Sequence, residues 1–340
     1  MNVEPLVSLE RSPGSETESR GDKQCLAIDI GGTKLAVGVV SERGQLLDRL
    51  SIPTVNQPLG DEQGQLAAED LFESLMTLVR HYRPFDQYLA CGVGSGGPMT
   101  AGGVLISPLN IPAWRSFPLA NRLQAETKLA TFVDNDAKAL ALGEGWVGAA
   151  KGKRNYLAMV VSTGVGGGIV LDGRLLDGQS GNAGHVGHMV VSVPGLQLPN
   201  HVRGVLEAEA SGTAIAHHTG RPPAEASHQQ KIEVGTLVGR ATGSVANLLD
   251  LPLIVVAGSV ALGFGEVFFR AAQAEIDRIC QLDFSRETVI VAAGCGDAGP
   301  LIGAGAVGFR NLGFQLGAIS PLEIVEETFS EGSGGAIPAR

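Results

Sequence analysis

The first part of the chain consists of short apolar segments separated by polar turns. Apolar positions predict strands at 25–30, 35–40 and 45–52, and the short turns between them favour antiparallel neighbours. In 66–83 the apolar residues recur every three to four positions instead, which predicts an amphipathic helix. The chain is therefore expected to begin with a three-stranded sheet covered by one helix.

Strand and helix patterns alternate through the rest of the chain. We predict strands at 88–93, 131–133, 253–257 and 289–293, and helices at 136–150, 207–218, 231–249 and 303–312. The strand pattern of the first part returns after Gly152 and continues to Val193. Strands that alternate with helices are typical of α/β folds, and the repeated plan indicates two related domains.

A Gly-rich turn, Asp29-Ile-Gly-Gly-Thr-Lys34, joins the first two predicted strands. Glycines permit a tight turn and leave backbone N–H groups uncovered. Thr33 and Lys34 can reach phosphate oxygens, and Asp29 can orient a hydrated Mg²⁺. An ordinary Gly-Gly hairpin has the same pattern. The turn by itself therefore leaves a phosphate site and a plain hairpin both open.

A second turn repeats this plan. Ser162-Thr-Gly-Val-Gly-Gly-Gly168 lies between the apolar segments that begin at Leu157 and Ile169. Two such hairpins in one chain are hard to explain as independent solubility turns. Together they favour two related domains that face one nucleotide.

Composition narrows the functional class. Glycine supplies 48 of 340 residues, about twice ordinary usage, and it clusters in short loops between β-branched strands. The net charge of −10 argues against a general nucleic-acid binder, which usually carries a basic face. We therefore expect tight α/β turns and no nucleic-acid partner.

The cysteines and the chain ends bear on the compartment. Cys25, Cys91, Cys280 and Cys295 show no CxxC spacing, which predicts neither a zinc ribbon nor a disulfide framework. The first 24 residues are polar, without a signal-peptide core, and no apolar run approaches membrane-spanning length. We expect a cytoplasmic protein without membrane attachment, with disordered residues at both ends.

Asp136 is the leading candidate for catalysis. It ends the segment Val133-Asp-Asn-Asp136, where a strand leads into a helix, and open α/β sheets bind ligands at such strand ends. Its carboxylate can accept a proton from a substrate hydroxyl, and Asn135 can orient a sugar hydroxyl. The alternative is that Asp134 and Asp136 only cap the helix.

Two further segments have polyol-binding chemistry. Ser107-Pro-Leu-Asn110 and the following Pro and Trp combine rigidity with an amide, although an ordinary surface loop has a similar composition. His185 and His188 can bind a metal, donate hydrogen bonds to a polyol, or lie in a polar turn. The sequence does not decide between these possibilities.

Two further candidates for ligand binding are a carboxylate, Glu207, and a turn of small residues, Gly258-Ser259. Glu207 can accept hydrogen bonds from a ligand, but with Glu209 it is also a typical first-turn charge. The turn at Gly258-Ser259 follows an apolar strand and allows adenine or ribose to approach the backbone closely. Such a turn is common in α/β folds.

These motifs resemble those of the ROK group of bacterial sugar kinases and repressors, within the actin-like, hexokinase-like ATPase superfamily. The resemblance covers residues 25 to about 314 and implies an α/β fold of two actin-like (ribonuclease H-like) domains with a cleft between them. It implies ATP and Mg²⁺ as cofactors, with Asp29 holding Mg²⁺ through water and Asp136 as the base. The implied ATP-binding positions are Asp29, Gly31, Gly32, Thr33, Lys34, Thr163, Gly164, Gly166, Gly258 and Ser259, and the implied sugar-binding positions are Asn110, Asn135, His185, His188 and Glu207.

Two departures from the family pattern concern zinc and the sugar. Family members commonly carry a Cys-x-Cys-Gly-x-x-Gly-Cys zinc module between the positions of His188 and Glu207, whereas this chain has no cysteine in 194–205. We therefore expect no zinc. Many sugar-binding members have Glu at the position of His185, near the anomeric end of the sugar. Plain glucose is for this reason less certain as the substrate.

The resemblance implies an ATP-dependent kinase for the exocyclic primary hydroxyl of a hexose or hexose-like ring, glucokinase-like in type. An N-acylhexosamine or a C7-cyclitol are alternative substrates. A sugar-responsive regulator is the alternative of another class, but the 24 residues before the first strand are too few and too polar for a helix-turn-helix domain. The family also implies a homodimer. We predict tails at 1–24 and 315–340 and domains at 25–140 and 141–314, with the last helix as a candidate to return to the first domain.

Overall fold

The computed structural model describes residues 8–10, 21–54, 61–199 and 201–322. These residues form two mixed β-sheets, each covered by helices, with one pair of helices between the sheets. The α/β class predicted from the sequence is confirmed.

The first sheet contains six strands in the order β1-β4-β3-β2-β5-β6. They are β1 (Ser8–Glu10), β2 (Gln24–Ile30), β3 (Lys34–Ser41), β4 (Leu46–Pro53), β5 (Cys91–Ser95) and β6 (Thr131–Asn135). Strands β2, β3 and β4 pair antiparallel, as their short polar turns predict, and β1 also pairs antiparallel with β4. In contrast, β2, β5 and β6 run parallel. The carboxyl ends of β2, β5 and β6 therefore meet at one edge.

The outer face of this sheet is covered by α1 (Asp61–Arg80). The buried side chains of Leu71, Phe72 and Leu75 lie in one hydrophobic cluster with the strands, in agreement with the helical spacing of the sequence. A further helix, α2 (Leu119–Thr127), leads into β6 and was not predicted.

The second sheet repeats the plan of a hairpin next to parallel strands, in the order β11-β10-β7-β8-β9. Its strands are β7 (Tyr156–Val161), β8 (Val165–Leu171), β9 (Arg174–Leu175), β10 (Leu253–Ala257) and β11 (Val289–Ala292). The outer helices are α6 (His228–Leu249) and α8 (Glu266–Ile279), and shorter helices are α4 (Leu206–Ala210), α5 (Gly212–Thr219) and α7 (Ser259–Phe264). The paired sheets agree with the repeat seen in the sequence.

Two helices lie between the sheets: α3 (Asp136–Trp146) and α9 (Gly299–Asn311). They cross so closely that a β-carbon at Gly303 would lie 2.5 Å from the carbonyl oxygen of Ala139. Helix α9 packs on β2 and β5, while α3 contacts strands of both sheets. The domain boundary proposed at 140/141 falls within α3, so the division into two domains remains a prediction.

Three features differ from the expected elements. The single helix predicted at 207–218 is wrong, because Ser211 has extended backbone angles and its side chain caps the start of α5. Residues 8–10 pair with the edge strand β4, although a disordered tail was expected there. At the other end Leu316 and Ile319 are buried, whereas 323–340 lies outside the described residues. Edge pairing and burial of this kind depend on the rest of the fold.

Candidate active site

A cleft of about 280 Å³ opens between the two sheets, next to the start of α3. Both Gly-rich turns reach it, as do the loop at Asn110 and the turn that carries the paired histidines. The predicted site residues that line it are Gly31, Gly32, Thr33, Asn110, Asn135, Asp136, Thr163, Gly164, Gly166, His185, His188 and Glu207. Asp29, Lys34, Gly258 and Ser259 lie just outside this lining. One cleft therefore unites most of the residues that the sequence indicated.

Asp136 lies at the end of β6 and begins α3. The side chain of Asn135 caps this helix by accepting a hydrogen bond from the backbone N–H of Ala137 at 3.0 Å. Asp136 Oδ1 accepts from the same N–H at 2.8 Å. Capping and cleft lining therefore coexist, and the capping alternative does not remove Asp136 from the site.

The environment of Asp136 favours proton acceptance. Burial raises the pKa of the Asp136 carboxyl above its ordinary value, and the negative charge of Glu207 adds to this increase. The hydrogen bond from Ala137 opposes the increase without cancelling it. A carboxylate with a raised pKa is a better base than an ordinary aspartate.

Asp29 lies on β2, beside the same edge of the sheet. Gly94 separates it from Asp136, since a β-carbon there would lie 3.8 Å from Asp29 Oδ1 and 3.7 Å from Asp136 Cα. Burial raises the pKa of Asp29 to about 7, the charge of Asp136 adds to the rise, and Lys34 opposes it. A buried carboxylate whose negative charge is disfavoured further by a second carboxylate suits the binding of a divalent cation.

The first Gly-rich turn is held from both sides. The N–H of Gly31 donates to the Lys34 carbonyl at 3.0 Å, while Thr54 donates to the carbonyl of Gly31 through its hydroxyl and to that of Thr33 through its N–H. A β-carbon at Gly32 would lie 2.7 Å from Asn110 Cβ. The turn can therefore approach the Asn110 loop only because position 32 is glycine.

The second Gly-rich turn connects β7 to β8 and lies against the start of α3. A β-carbon at Gly166 would lie 3.1 Å from Ala137 Cβ. Behind the turn, the Ser162 and Ser259 hydroxyl oxygens are 3.0 Å apart, and Gly258 has a φ of 101° at the start of α7. The segment at Gly258-Ser259 thus contacts the second turn, although it does not line the cleft itself.

The sugar-binding candidates His185, His188 and Glu207 form one group with His201, which the sequence did not single out. The ring centroid of His188 lies 5.8 Å from that of His185 and 6.0 Å from that of His201. His201 Nε2 is 2.6 Å from Glu207 Oε1. A lone histidine in the loop 194–205 carries no periodic or motif signal, which is why the sequence did not indicate it.

The pKa values of His185 and His201 are shifted in opposite directions. Burial lowers the pKa of His185 and the neighbouring His188 lowers it further, with partial compensation from Glu207. Burial also lowers the pKa of His201, but hydrogen bonds to the Pro199 carbonyl and to Glu207 outweigh it, and the net pKa is raised. His185 is therefore favoured as a neutral donor or acceptor and His201 as a cation.

A further residue that the sequence did not indicate connects the two sides of the cleft. Asn182 Nδ2 donates to the Met99 carbonyl at 2.9 Å, and Asn182 Oδ1 accepts from the Met99 N–H at 3.3 Å. The amide thus pairs with backbone from the part of the chain that follows β5. Only the folded chain brings 99 and 182 together.

Across 8–10, 21–54, 61–199 and 201–322, no three His, Cys, Asp or Glu side chains are grouped as ligands for a metal ion. In the same described part of the chain, none of the helices has the length and apolar character needed to cross a bilayer.

Comparison with known proteins agrees with the geometry. The ROK family profile matches residues 25–308. The chain is 36% identical over 255 residues to a protein named N-acetylmannosamine kinase from Yersinia pestis, covering 71% of this chain and 84% of the relative.

Solved structures support the same relationship. A ROK hexokinase from Thermus thermophilus superposes with a TM-score of 0.68 at 30% identity, over 85% of this chain and 99% of that one. A ROK family glucokinase from Streptomyces griseus, in complex with glucose and AMPPNP, gives a TM-score of 0.70 at 25% identity, over 84% and 99% of the two chains. The predicted fold class is confirmed, and the chain belongs to the ROK family.

Proposed function

We propose that this carbohydrate kinase transfers the γ-phosphoryl group of ATP to the exocyclic primary hydroxyl of a hexose or hexose-like sugar. The observation that carries the proposal is the convergence of two Gly-rich turns, Asp136 and the group of His185, His188 and Glu207 on one cleft. Phosphate-binding backbone and a carboxylate base at a strand end are what phosphoryl transfer to an alcohol requires.

Asp136 is the proposed catalytic base. Its raised pKa and its place in the cleft lining suit acceptance of the hydroxyl proton as the sugar oxygen attacks phosphorus. The N-terminal end of α3 stabilises the negative charge of the carboxylate before transfer. Asn135, the cap of the same helix, is placed to orient a neighbouring hydroxyl.

The two turns are proposed to bind the phosphates from opposite sides of the cleft. Backbone N–H groups in Gly-rich turns complement phosphate charge, and Thr33 and Thr163 add hydroxyl donors. The segment at Gly258-Ser259 would lie next to the adenosine because it contacts the second turn through Ser162. Closure of the cleft would exclude water and limit ATP hydrolysis.

The residues around Asp29 fit a magnesium ion. Among the described residues, no hydrogen bond to the Asp29 carboxylate is formed, and the positive charge of Lys34 only partly offsets the rise of its pKa. A bound Mg²⁺ would neutralise phosphate charge and align the γ-phosphoryl group. Asp29 would hold it through water, as an acceptor oriented from β2.

An N-acylhexosamine is the first acceptor to test. The support is the 36% identity to the protein named N-acetylmannosamine kinase. Glucose is the second, because the Streptomyces griseus structure contains glucose. A C7-cyclitol stays in the set because His185 lines the cleft at the position where many sugar-binding members of the family have Glu.

We also propose a cytoplasmic homodimer that acts on small molecules and not on nucleic acid. The net charge of −10 supports the last point, because general nucleic-acid binders usually carry a basic face.

The test is ADP release with Mg-ATP across N-acetylmannosamine, N-acetylglucosamine, glucose, mannose, fructose and C7-cyclitols. Mass spectrometry confirms transfer of phosphate, and phosphorus–proton NMR couplings locate it on the product. We expect phosphate on the exocyclic oxygen of at least one sugar. Phosphate on a ring hydroxyl would contradict the proposed position, and no transfer to any of them would contradict the acceptor class.

A further inference from the structure

We propose that His201 is a positioning residue for the sugar: as an imidazolium it fixes the Glu207 carboxylate, so that sugar binding weakens when His201 loses its proton. The proposal rests on the proposed function, because it assigns Glu207 to the acceptor side of the cleft. It adds a residue outside the family motifs and a defined pH response.

Both ring nitrogens of His201 face hydrogen-bond acceptors. Nδ1 is 3.0 Å from the carbonyl oxygen of Pro199, and Nε2 is 2.6 Å from Glu207 Oε1. A neutral imidazole has one N–H, whereas an imidazolium has two. Since a carbonyl and an ionised carboxylate only accept, both contacts are hydrogen bonds only when His201 is protonated.

This ion pair is largely removed from water. The His201 and Glu207 side chains are 17% and 15% exposed, respectively. Charge-assisted hydrogen bonds in such surroundings are shorter and stronger than neutral ones. The pair is therefore better placed to hold a geometry than a solvent-exposed salt bridge.

Glu207 is held from its other side by the second Gly-rich turn. Its Oε2 accepts from the backbone N–H of Val165 at 2.6 Å, and a β-carbon at Gly164 would lie 2.8 Å from this oxygen. With one oxygen on the turn and the other on His201, the carboxylate has a single orientation in the cleft. Its remaining lone pairs are available to sugar hydroxyls.

Among the described residues, the titratable groups in contact with His201 are His188 and Glu207. The ring of His188 stacks on it at 6.0 Å with an interplanar angle of 23°, and His185 lies on the far side of His188. Glu207, from α4, is the facing anion, and Asp136 lies beyond Glu207. The hydrogen bonds to the Pro199 carbonyl and to Glu207, with the negative charge of Glu207, outweigh the effect of burial and raise the pKa of His201. The imidazolium is therefore present below that pKa and lost as pH rises through it.

The loop that supplies His201 is anchored independently of the ion pair, because Leu198 and Val205 pack with Ala208 and Ala214 and the Leu196 N–H donates to Glu209 Oε1. It comes from the segment 194–205, which contains no cysteine and lies between the turn at 186–188 and α4. Loss of the ion pair would therefore free Glu207 to turn without unfolding the cleft. We expect a change in the KM for the sugar rather than in stability.

The first experiment needs no substrate. The chain has 7 histidines, and proton NMR of their ring signals in the full chain gives each pKa, with His201→Gln assigning the signal of His201. We expect His201 to titrate above the ordinary value of about 6.5. Titration below that value would overturn the proposal, whether or not the protein phosphorylates any sugar.

The second experiment measures initial rates with N-acetylmannosamine and with glucose between pH 6 and 8.5. In the wild type we expect the KM for the sugar to rise with pH, with little change in kcat or in the KM for ATP. His201→Gln should raise the KM for the sugar roughly ten-fold to a hundred-fold, the range for loss of a hydrogen bond to a charged group, and remove the pH response.

The matched control is His217→Gln, which makes the same change at an exposed histidine outside the cleft lining. It should leave the KM for the sugar and its pH profile unchanged. A wild-type KM and pH profile in His201→Gln would overturn the proposal, as would an equal loss in both variants. If the wild type phosphorylates neither sugar, the proposed function has failed on these acceptors, and the NMR titration alone decides on His201.

Discussion

The substitution Asp136→Asn separates catalysis from binding and from folding. Asn has the same shape as Asp, and its amide oxygen can still accept the hydrogen bond from Ala137 that Asp136 Oδ1 accepts at 2.8 Å. Asn135 continues to cap α3. We therefore expect little change in the stability of the protein. What the variant lacks is a group that can take the proton of the attacking hydroxyl.

The expected loss follows from that role. A positioned general base contributes about 10² to 10⁴ in rate. At about 1.36 kcal/mol for each factor of ten, this corresponds to about 3 to 5 kcal/mol of transition-state stabilisation. Burial raises the pKa of Asp136, so the wild-type kcat should fall as pH decreases through that pKa. Asp136→Asn has no carboxyl at this position, so its kcat should not show this fall at low pH.

The assay is ADP release at saturating Mg-ATP with the best sugar of the panel, measured as kcat and KM across pH. The matched control is Asp250→Asn, because Asp250 is exposed and has a φ of 53°, a left-handed conformation that Asn adopts readily. The control should match the wild type. If Asp136→Asn retains a kcat close to that of the wild type, Asp136 is not the base.

Three further predictions concern the metal, the first turn and the core. The pKa of Asp29 is raised to about 7, chiefly by burial and then by the charge of Asp136. Mg²⁺ binding in the presence of ADP should therefore weaken from pH 8 to pH 6. An unchanged Mg²⁺ affinity in calorimetry would contradict this prediction. Gly32→Ala should raise the KM for ATP and for the sugar roughly ten-fold, because the new methyl group would lie 2.7 Å from Asn110 Cβ. Unaltered KM values would show that binding does not depend on the close approach of this turn to the Asn110 loop. Glu144→Gln should lower the free energy of unfolding by about 3 kcal/mol. The buried Glu144 carboxylate accepts three backbone hydrogen bonds of 2.7 to 2.9 Å, whereas an amide can accept at only one end. Denaturant titration measures this change, and a free energy of unfolding equal to that of the wild type would refute the prediction.

The agreement between sequence and structure is best where the pattern is local. The antiparallel strands β2 to β4 and helix α1 lie close to the predicted segments, because alternation and helical periodicity report directly which face is buried. The two Gly-rich turns were found for the same reason, since each stands between two apolar strands. Agreement was poorer at 207–218, where Ser211 stops one helix and caps the next within a single residue.

The sequence by itself determined most of the elements, their repeated plan and most of the side chains that line the cleft. It did so because strand alternation, helical spacing and glycine turns are written in neighbouring residues. It did not determine that α3 and α9 pack between the two sheets, since their contact depends on a close approach at Gly303, far along the chain from Ala139.

Only the tertiary structure decided the charge state of the site. Burial raises the pKa of both Asp29 and Asp136; the charge of Asp136 adds to the rise at Asp29, and the charge of Glu207 adds to the rise at Asp136. These three residues are far apart in the sequence. The ion pair of His201 with Glu207 is local in sequence, yet it depends on the turn at Val165, which holds the other carboxylate oxygen. Electrostatic energies depend on distance and on exclusion of water, and neither quantity exists until the chain has folded.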